Sequence, residues 1–354
     1  MKGLGVKDDA VAVEVRSDAA TGAAAVRGGP PGARSGRPAR RRRQLVEASI
    51  LPGLWVVVVV VFGLAEPSTF LTTRNFANIF GSQAVLLVLA LGLSVPLLTG
   101  DFDLSAANTL AFAGMVTAIL NVNHHWPVVV AGLVGIAIGA VVGFVNALVV
   151  VKLRKDSFII TLGTGTVLAG LTFWVSNSLT ITGVSHGLTA WVFSNTFLGI
   201  PLEFWYGLAA TLVVLYVVGL TPLGRRMLFV GQAREVARLT GVRTDRVRMG
   251  SLVVSGVVGA LAGVLYLGTT GAADPSSGTA FLLPAFAAVF LGSTSIQPGR
   301  FNPLGTFVAV YFLSTGIAGL ELLGAQSYIQ QLFYGAALVL AVSVSAIGKR
   351  RASA

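Results

Sequence analysis

Apolar residues run along this chain in blocks of roughly 20, separated by short polar breaks. A helix advances about 1.5 Å per residue and a bilayer's hydrocarbon core is about 30 Å thick, so blocks of this length are what membrane-crossing helices require. They fall near 48–66, 76–99, 104–122, 127–151, 157–176, 203–221, 249–268, 280–297, 303–320 and 327–347. The pattern predicts an all-α, polytopic fold of about ten transmembrane helices. Residues 176–200 are rich in Ser, Thr and Gly, which predicts a polar connection with a short interfacial helix. Residues 1–44 have no apolar period and abound in Ala, Gly, Pro and Arg, so a disordered basic tail is expected there. The tail is too long for a signal peptide and no small-residue cleavage site follows the first block, so that block reads as an uncleaved span.

Composition agrees with the pattern. Of 354 residues 54% are hydrophobic and 11% charged, with a mean hydropathy of +0.81, which excludes an ordinary water-soluble domain. The formal charge of +11 would suggest a nucleic-acid partner in a soluble chain. Here the basic residues flank the apolar blocks, where they orient helices. Arg40 to Arg43, Lys152, Arg154 and Lys155, the 224–248 stretch, Arg300, and Lys349 to Arg351 all fall on one side if both termini are cytoplasmic. The opposite connections carry mainly Glu66, Arg74, Glu203, Asp274 and Glu321. The expectation is a multi-pass protein of the bacterial cell membrane, with a tail at 1–44, a membrane domain at 45–348 and a cytoplasmic end at 349–354. Zero cysteines exclude disulfides and thiolate metal sites, and His124, His125 and His186 are too few and too badly spaced for zinc. There is no phosphate loop of the GxxxxGK[ST] type and no Ser/His/Asp or Cys/His arrangement, so no catalytic residue, metal or enzyme activity is expected.

One stretch stands apart. Residues 224–248 hold seven arginines against Glu235 and Asp245, wedged between two apolar blocks. Gly231 and Gly241 bracket a short helix on which Ala233, Val236, Ala237 and Thr240 share a face. Such a segment is either an ordinary basic loop or a surface that another protein grips.

Other polar residues sit where lipid would penalise them. Asp101 and Asp103 interrupt the apolar pattern with Gly100, and charged groups at membrane depth usually face a bundle interior or a wet cavity. Asp103 with Ser105 either caps the next helix or lines a path. Asn146 bonds a neighbouring helix or a solute. Phe158, Thr161 and Thr164 open another helix with an aromatic ring and hydroxyls, groups that suit a neutral polyol but also bond a helix's own backbone. Glycines at 132, 135, 139 and 143, and at 256, 259 and 263, have the small-residue spacing of close helix packing. Thr99-Gly-Asp-Phe-Asp-Leu-Ser105 is echoed by Thr270-Gly-Ala-Ala-Asp-Pro-Ser276, a pattern that fits an inverted repeat.

Taken in order, these segments resemble the permease subunits of bacterial ABC sugar importers of the ribose/xylose/galactose type, over residues 48–350. Gly100 to Ser105 resembles that family's Gly-Gly-Ile-Asp-Leu-Ser element. Gly143-Phe-Val-Asn146 and Phe158-Ile-Ile-Thr161-Leu-Gly-Thr164 are similar to its Gly-x-x-Asn and Phe-Ile-x-Thr-Leu-Gly-Thr runs. Gly231 to Gly241 resembles its Gly-x-Asn-x-x-Ala-Ala-Arg-x-Ser-Gly segment, and Leu291 to Thr294 with Gly299, Arg300, Gly305 and Thr306 its final glycine-rich signature. Asp101 departs from the second Gly, Ala106-Ala107 from Val-Gly, Asp156-Ser157 from prolines, and Gln232 from Asn.

The resemblance implies a type II-like bundle, dimeric with itself or a paralogue. It also implies cytoplasmic ABC ATPases that hold ATP and Mg, an extracytoplasmic sugar-binding protein, and no cofactor on this chain. It places a coupling helix at 231–241, carried by Gly231, Arg234, Glu235, Val236, Ala237, Arg238 and Gly241. It puts Asp101, Asp103, Ser105, Asn146, Phe158, Thr161 and Thr164 beside the translocation path. Nucleosides, autoinducers and branched-chain amino acids remain alternative solutes, and an ion-coupled transporter is the alternative mechanism.

Overall fold

A computed structural model describes residues 37–353. The expected tail lies outside the described residues as far as 36, and residues 37–44, expected within it, are already helical. Fifteen α-helices follow in order: α1 Arg37–Ala65, α2 Pro67–Phe70, α3 Thr73–Ser82, α4 Ala84–Leu98, α5 Ala106–Ala118, α6 Val128–Ala147, α7 Ser157–Val175, α8 His186–Thr189, α9 Leu202–Leu220, α10 Pro222–Gln232, α11 Arg234–Leu239, α12 Thr244–Thr270, α13 Ser277–Gly292, α14 Pro303–Leu322 and α15 Tyr328–Ser353. Eight helical stretches among the described residues are long and apolar enough to cross a membrane, α3 and α4 forming one of them. The apolar parts of α13 and α15 are shorter, which separates the observed pattern from ten equal spans. The expected 280–297 span ends at Gly292 because residues 293–302 turn back in tight loops stitched by the Asn302 amide. The interfacial helix expected within 176–200 is α8 with the π-turn after it.

Local chemistry fixes the helix ends. Asp156 caps α7, its Oδ1 accepting from the Phe158 and Ile159 N–H groups at 2.9 and 3.2 Å, so a cap stands where the resemblance expected prolines. Thr221 caps α10 and Asn302 caps α14, each followed by a proline at the first helical position. Two antiparallel two-residue ladders tie loops: β1 Ile181–Thr182 to β4 Ala272–Ala273, and β2 Thr196–Phe197 to β3 Ile200–Pro201.

The core forms around α4, whose every residue is buried and which is apolar on all sides. Beside it α12 is pressed between α5 and α6 through its glycines. A Cβ added at Gly256 would lie 2.2 Å from the Gly139 carbonyl, and one at Gly263 2.2 Å from the Leu110 carbonyl, so the spacing seen in sequence is indeed close packing. The internal echo is structural too. Gly100 (φ 81°) and Gly271 (φ 67°) end α4 and α12 in left-handed conformation. Three residues on in each case, Asp103 Oδ1 accepts from the Ser105 N–H and hydroxyl at 3.0 and 2.6 Å, and Asp274 Oδ1 from those of Ser276 at 2.7 and 2.6 Å. Five crossings separate these turns, which puts them at opposite ends of the bundle, as an inverted repeat requires.

Candidate functional site

The arginine-rich stretch folds as two helices. Ala233 takes an extended backbone (φ −150°, ψ 76°) and separates α10 from α11, so the helix begins at Arg234 and Gly231 lies inside α10. Gly241 (φ 84°) follows its end. This corrects the expected face: Ala237 is fully buried, whereas Val236 and Leu239 are 51% and 82% exposed. The break at Ala233 rotates the short helix so that Ala237 alone packs inward. Glu235 and Arg238 pair at 3.0 Å on the exposed side, a contact worth little in water.

Gly231 has a different task from the one its spacing suggested. A Cβ there would meet the Leu98 carbonyl at 2.2 Å, so the absence of a side chain lets α10 rest on the turn that follows α4. That turn carries Asp101, which is 2% exposed and gripped by a two-pronged Arg248: Nε to Oδ2 at 2.8 Å and Nη2 to Oδ1 at 2.6 Å. Arg234, the first residue of α11, stands 3.8 Å from the same carboxylate. Beside it the Thr99 and Ser251 hydroxyls are 3.0 Å apart. The fork satisfies both carboxylate oxygens, the arrangement a buried pair needs to offset desolvation.

From Asp101 the bonding continues into the bundle. The Phe102 N–H donates to Ser157 Oγ and the Leu104 N–H to Thr161 Oγ1, both at 3.0 Å, while Thr161 donates to the Ser157 carbonyl at 2.7 Å. Ser105 bonds Asp103, Asn146 Nδ2 donates to Ser105 Oγ at 2.8 Å, and Thr164 donates to Asn146 Oδ1 at 2.7 Å. Phe158 is 47% exposed, with its ring edge-on to Phe102 at 6.2 Å. Four of the residues singled out in sequence, Asp103, Ser105, Asn146 and Thr164, thus meet in one chain of side-chain hydrogen bonds; Thr161 bonds the backbone beside them, Asp101 bonds Arg248 instead, and Phe158 stands at the margin. The carboxamide and hydroxyls are occupied with one another, and the Asp103–Ser105 pair holds the entrance of α5. Asp103 Oδ2 is buried without a partner among the described residues.

Comparison with known proteins identifies the family. The sequence pattern of the family described as "Branched-chain amino acid transport system / permease component" matches residues 75–342. The chain is 32% identical over 314 residues to the ribose import permease protein RbsC of Escherichia coli (strain K12), covering 88% of this chain and 97% of that one. It is 30% identical over 288 residues to the D-allose transport system permease protein AlsC of the same organism, covering 81% and 88%. It is 30% identical over 309 residues to the L-arabinose ABC transporter permease protein AraH of Azospirillum brasilense, covering 86% and 90%.

The chain belongs to this permease family. The permease is accordingly a multi-pass inner-membrane transport protein rather than an enzyme.

Sequence reasoning about this permease missed the partners that complete the cluster. Arg248 reads as one more loop arginine, yet it lies inside α12 and is buried; an arginine within the first turns of an apolar helix was the available signal. Ser157 and Ser251 look like generic hydroxyls. Glu203, expected in an open connection, is fully buried in the first turn of α9, where Thr269 donates to its Oε2. Asn146 supplies a test of the cluster. Asn146→Leu keeps the branched shape but leaves Ser105 and Thr164 each short of a partner, so the permease should lose about 1–3 kcal/mol. Thermal melting of the purified protein measures this, and an unchanged midpoint refutes a cohesive role.

Proposed function

We propose that this permease is the transmembrane subunit of an ATP-driven ABC importer that carries a monosaccharide delivered by an extracytoplasmic binding protein. Sugar permeases that the chain matches over most of both lengths, for ribose, allose and arabinose, support a sugar over the amino acids of the family's description. Lys152, Arg154, Lys155, the 224–248 arginines and Arg300 all follow spans that run in one direction, so positive-inside bias puts this end and both termini in the cytoplasm. A second copy or a paralogue completes the path. Phe158, Thr161 and Thr164 on α7, with Asp103, Ser105 and Asn146 behind them, stand beside it, and Asp101 lies where that turn meets α10.

The observation that carries the energy-coupling half of this reading is α11. Its Leu239 and Val236 are uncovered at the basic end of a membrane protein, ringed by Arg234, Glu235 and Arg238. Apolar anchors inside a charged rim are the anatomy of a protein–protein contact. The partner is a cytoplasmic ATPase, which holds the ATP and Mg that this chain has no phosphate loop to bind. ATPase closure moves α11 and α10, and through Gly231 and Asp101 the motion reaches the turn at the start of α5.

Leu239→Asp with Val236→Asp should lower transport-coupled ATP hydrolysis about tenfold or more, the loss of at least one anchor's worth of contact. The amount of permease in the membrane should stay the same, because neither side chain belongs to the buried core. Arg238→Ala should show the smaller loss of a rim charge. Reconstitution with ATPase and binding protein reads both quantities. Normal coupling in the double variant would refute the docking role, and uptake driven by an ion gradient without ATP would refute the importer reading.

A further inference from the structure

A second polar feature lies at the end of the bundle opposite α11. There α3, α14 and α15 flank an open recess of about 370 Å³, within the range of about 300–1,000 Å³ typical of small-molecule sites. Its walls include Asn75, Asn78, Gln83, Glu321 and Gln330, with Ser314 from α14. The stripe on α3 is a consequence of sequence. Asn75, Asn78 and Ser82 recur at i, i+3 and i+7, while Phe76 and Phe80 turn the other way into the aromatic packing around Phe70, Phe204 and Tyr311, and Ile79 forms an apolar part of the wall.

That stripe is too deep to be a surface cap. From Asn75 to Gln83 it descends about 12 Å along the helix axis, and Ser314 lies a similar distance before the end of α14. Asn75 Nδ2 donates to the Phe70 carbonyl at 2.9 Å, and carboxamides with bonding capacity left over would be costly against hydrocarbon, so a polar stripe at this depth marks a water-filled recess. Its chemistry is also selective. Amides both donate and accept, the Glu321 carboxylate accepts, and no lysine, arginine or histidine lines the wall. A ligand bearing several neutral hydroxyls can satisfy both kinds of group, whereas an anion would meet only Glu321's charge. Gln330 Nε2 donates to Glu321 Oε1, which pre-orders the pair that closes the recess, and the Tyr334 ring gives it an apolar wall.

We propose that this recess is an acceptance site for a neutral monosaccharide on the outer face of the permease. The proposal rests on the importer reading and its orientation, and adds a location and a recognition chemistry to it. A sugar released from a docked binding protein enters between α3 and α15, exchanges water for amide hydrogen bonds, and lies near the bundle core.

The chain has no cysteine, so single-cysteine variants report on one position each. Asn78→Cys and Gln330→Cys, with Thr180→Cys as an outer-loop control, are placed in the permease–ATPase complex in right-side-out vesicles. A membrane-impermeant maleimide is added from outside, alone or with excess D-ribose, D-xylose, D-galactose, D-allose or L-arabinose. Positions 78 and 330 should label, and at least one sugar should slow both by about tenfold, the protection that nine-tenths occupancy gives by mass action. Labelling at position 180 should not change. Failure of 78 and 330 to label, or labelling that none of the sugars slows, overturns the site. The importer reading is judged separately by ATP-driven uptake in the unaltered complex, so either idea can fail without the other.

Discussion

Asp101→Ala is expected to destabilise the permease by about 3–5 kcal/mol, because it strands Arg248 as an uncompensated buried charge. The Arg248 side chain is 10% exposed and spends two of its N–H groups on the missing carboxylate. Arg234, 42% exposed, reaches water once the carboxylate is gone, so the loss falls almost entirely on Arg248. The reference for the pair is not zero. Replacing both partners, as Asp101→Leu with Arg248→Met, removes the desolvation cost together with the attraction and should recover most of the melting temperature. Recovery of stability need not restore transport. Asp101 bridges α11's first residue and the turn leading into the Asp103–Asn146 cluster, so the apolar pair should fold yet couple ATP hydrolysis to uptake poorly. Melting and coupling measured on the same three proteins, the parent, Asp101→Ala and the apolar pair, separate the two roles. A single Asp101→Ala variant that melts like the parent would show that Arg248 finds water or another partner.

This pair also marks where the sequence stopped being readable. Span positions were legible because membrane thickness sets a block length, and the observed helices start and stop within a few residues of the blocks in most cases. The arginine-rich segment was legible because charge is rare elsewhere past residue 50. The repeated Thr-Gly…Asp-x-Ser turn was legible because a left-handed glycine and a serine bonded to the preceding aspartate need those residue types at that spacing. Asp101 and Arg248 are separated by 147 positions, and nothing local in either says that they meet. The rotation of α11 depends on the extended backbone of Ala233, a residue with no preference for breaking a helix, and so tertiary packing on Leu98 decides it. Glu203 looked like a loop acid because it follows Pro201; only the packing of α9 against α3 and α12 buries it. The polar cluster was read residue by residue with a bonding role and a lining role both open. The structure joins Asp103, Ser105, Asn146 and Thr164 by side-chain hydrogen bonds and ties Thr161 to the Leu104 N–H, so what they share is the turn at the head of α5.

Gly256→Leu should abolish accumulation of folded permease. A side chain at this position begins 2.2 Å from the Gly139 carbonyl and 2.9 Å from the Gly143 nitrogen, against an ordinary contact of 3.4 Å or more. Even Ala therefore asks α6 and α12 to part by about 1.2 Å, the difference between 3.4 and 2.2 Å. Backbone cannot yield as a flexible side chain would, and overpacking a tight core costs roughly 1–3 kcal/mol before any larger rearrangement. In lipid no hydrophobic driving force repairs a parted interface, because hydrocarbon tails fill the gap as readily as Leu does. The damage spreads, since α12 also presses Gly259 and Gly263 on α5, and α5 carries the turn that the coupling segment rests on. Gly256→Ala should then melt measurably lower than the parent, and Gly256→Leu should be missing from the folded fraction on size-exclusion chromatography. The same helix supplies the control. A side chain at Gly250 meets nothing within 4 Å, so Gly250→Ala should be neutral or stabilising by up to about 1 kcal/mol through helix propensity alone. If both alanine variants lose stability equally, glycine in α12 matters for some reason other than the approach of α6, and the close-packing argument fails.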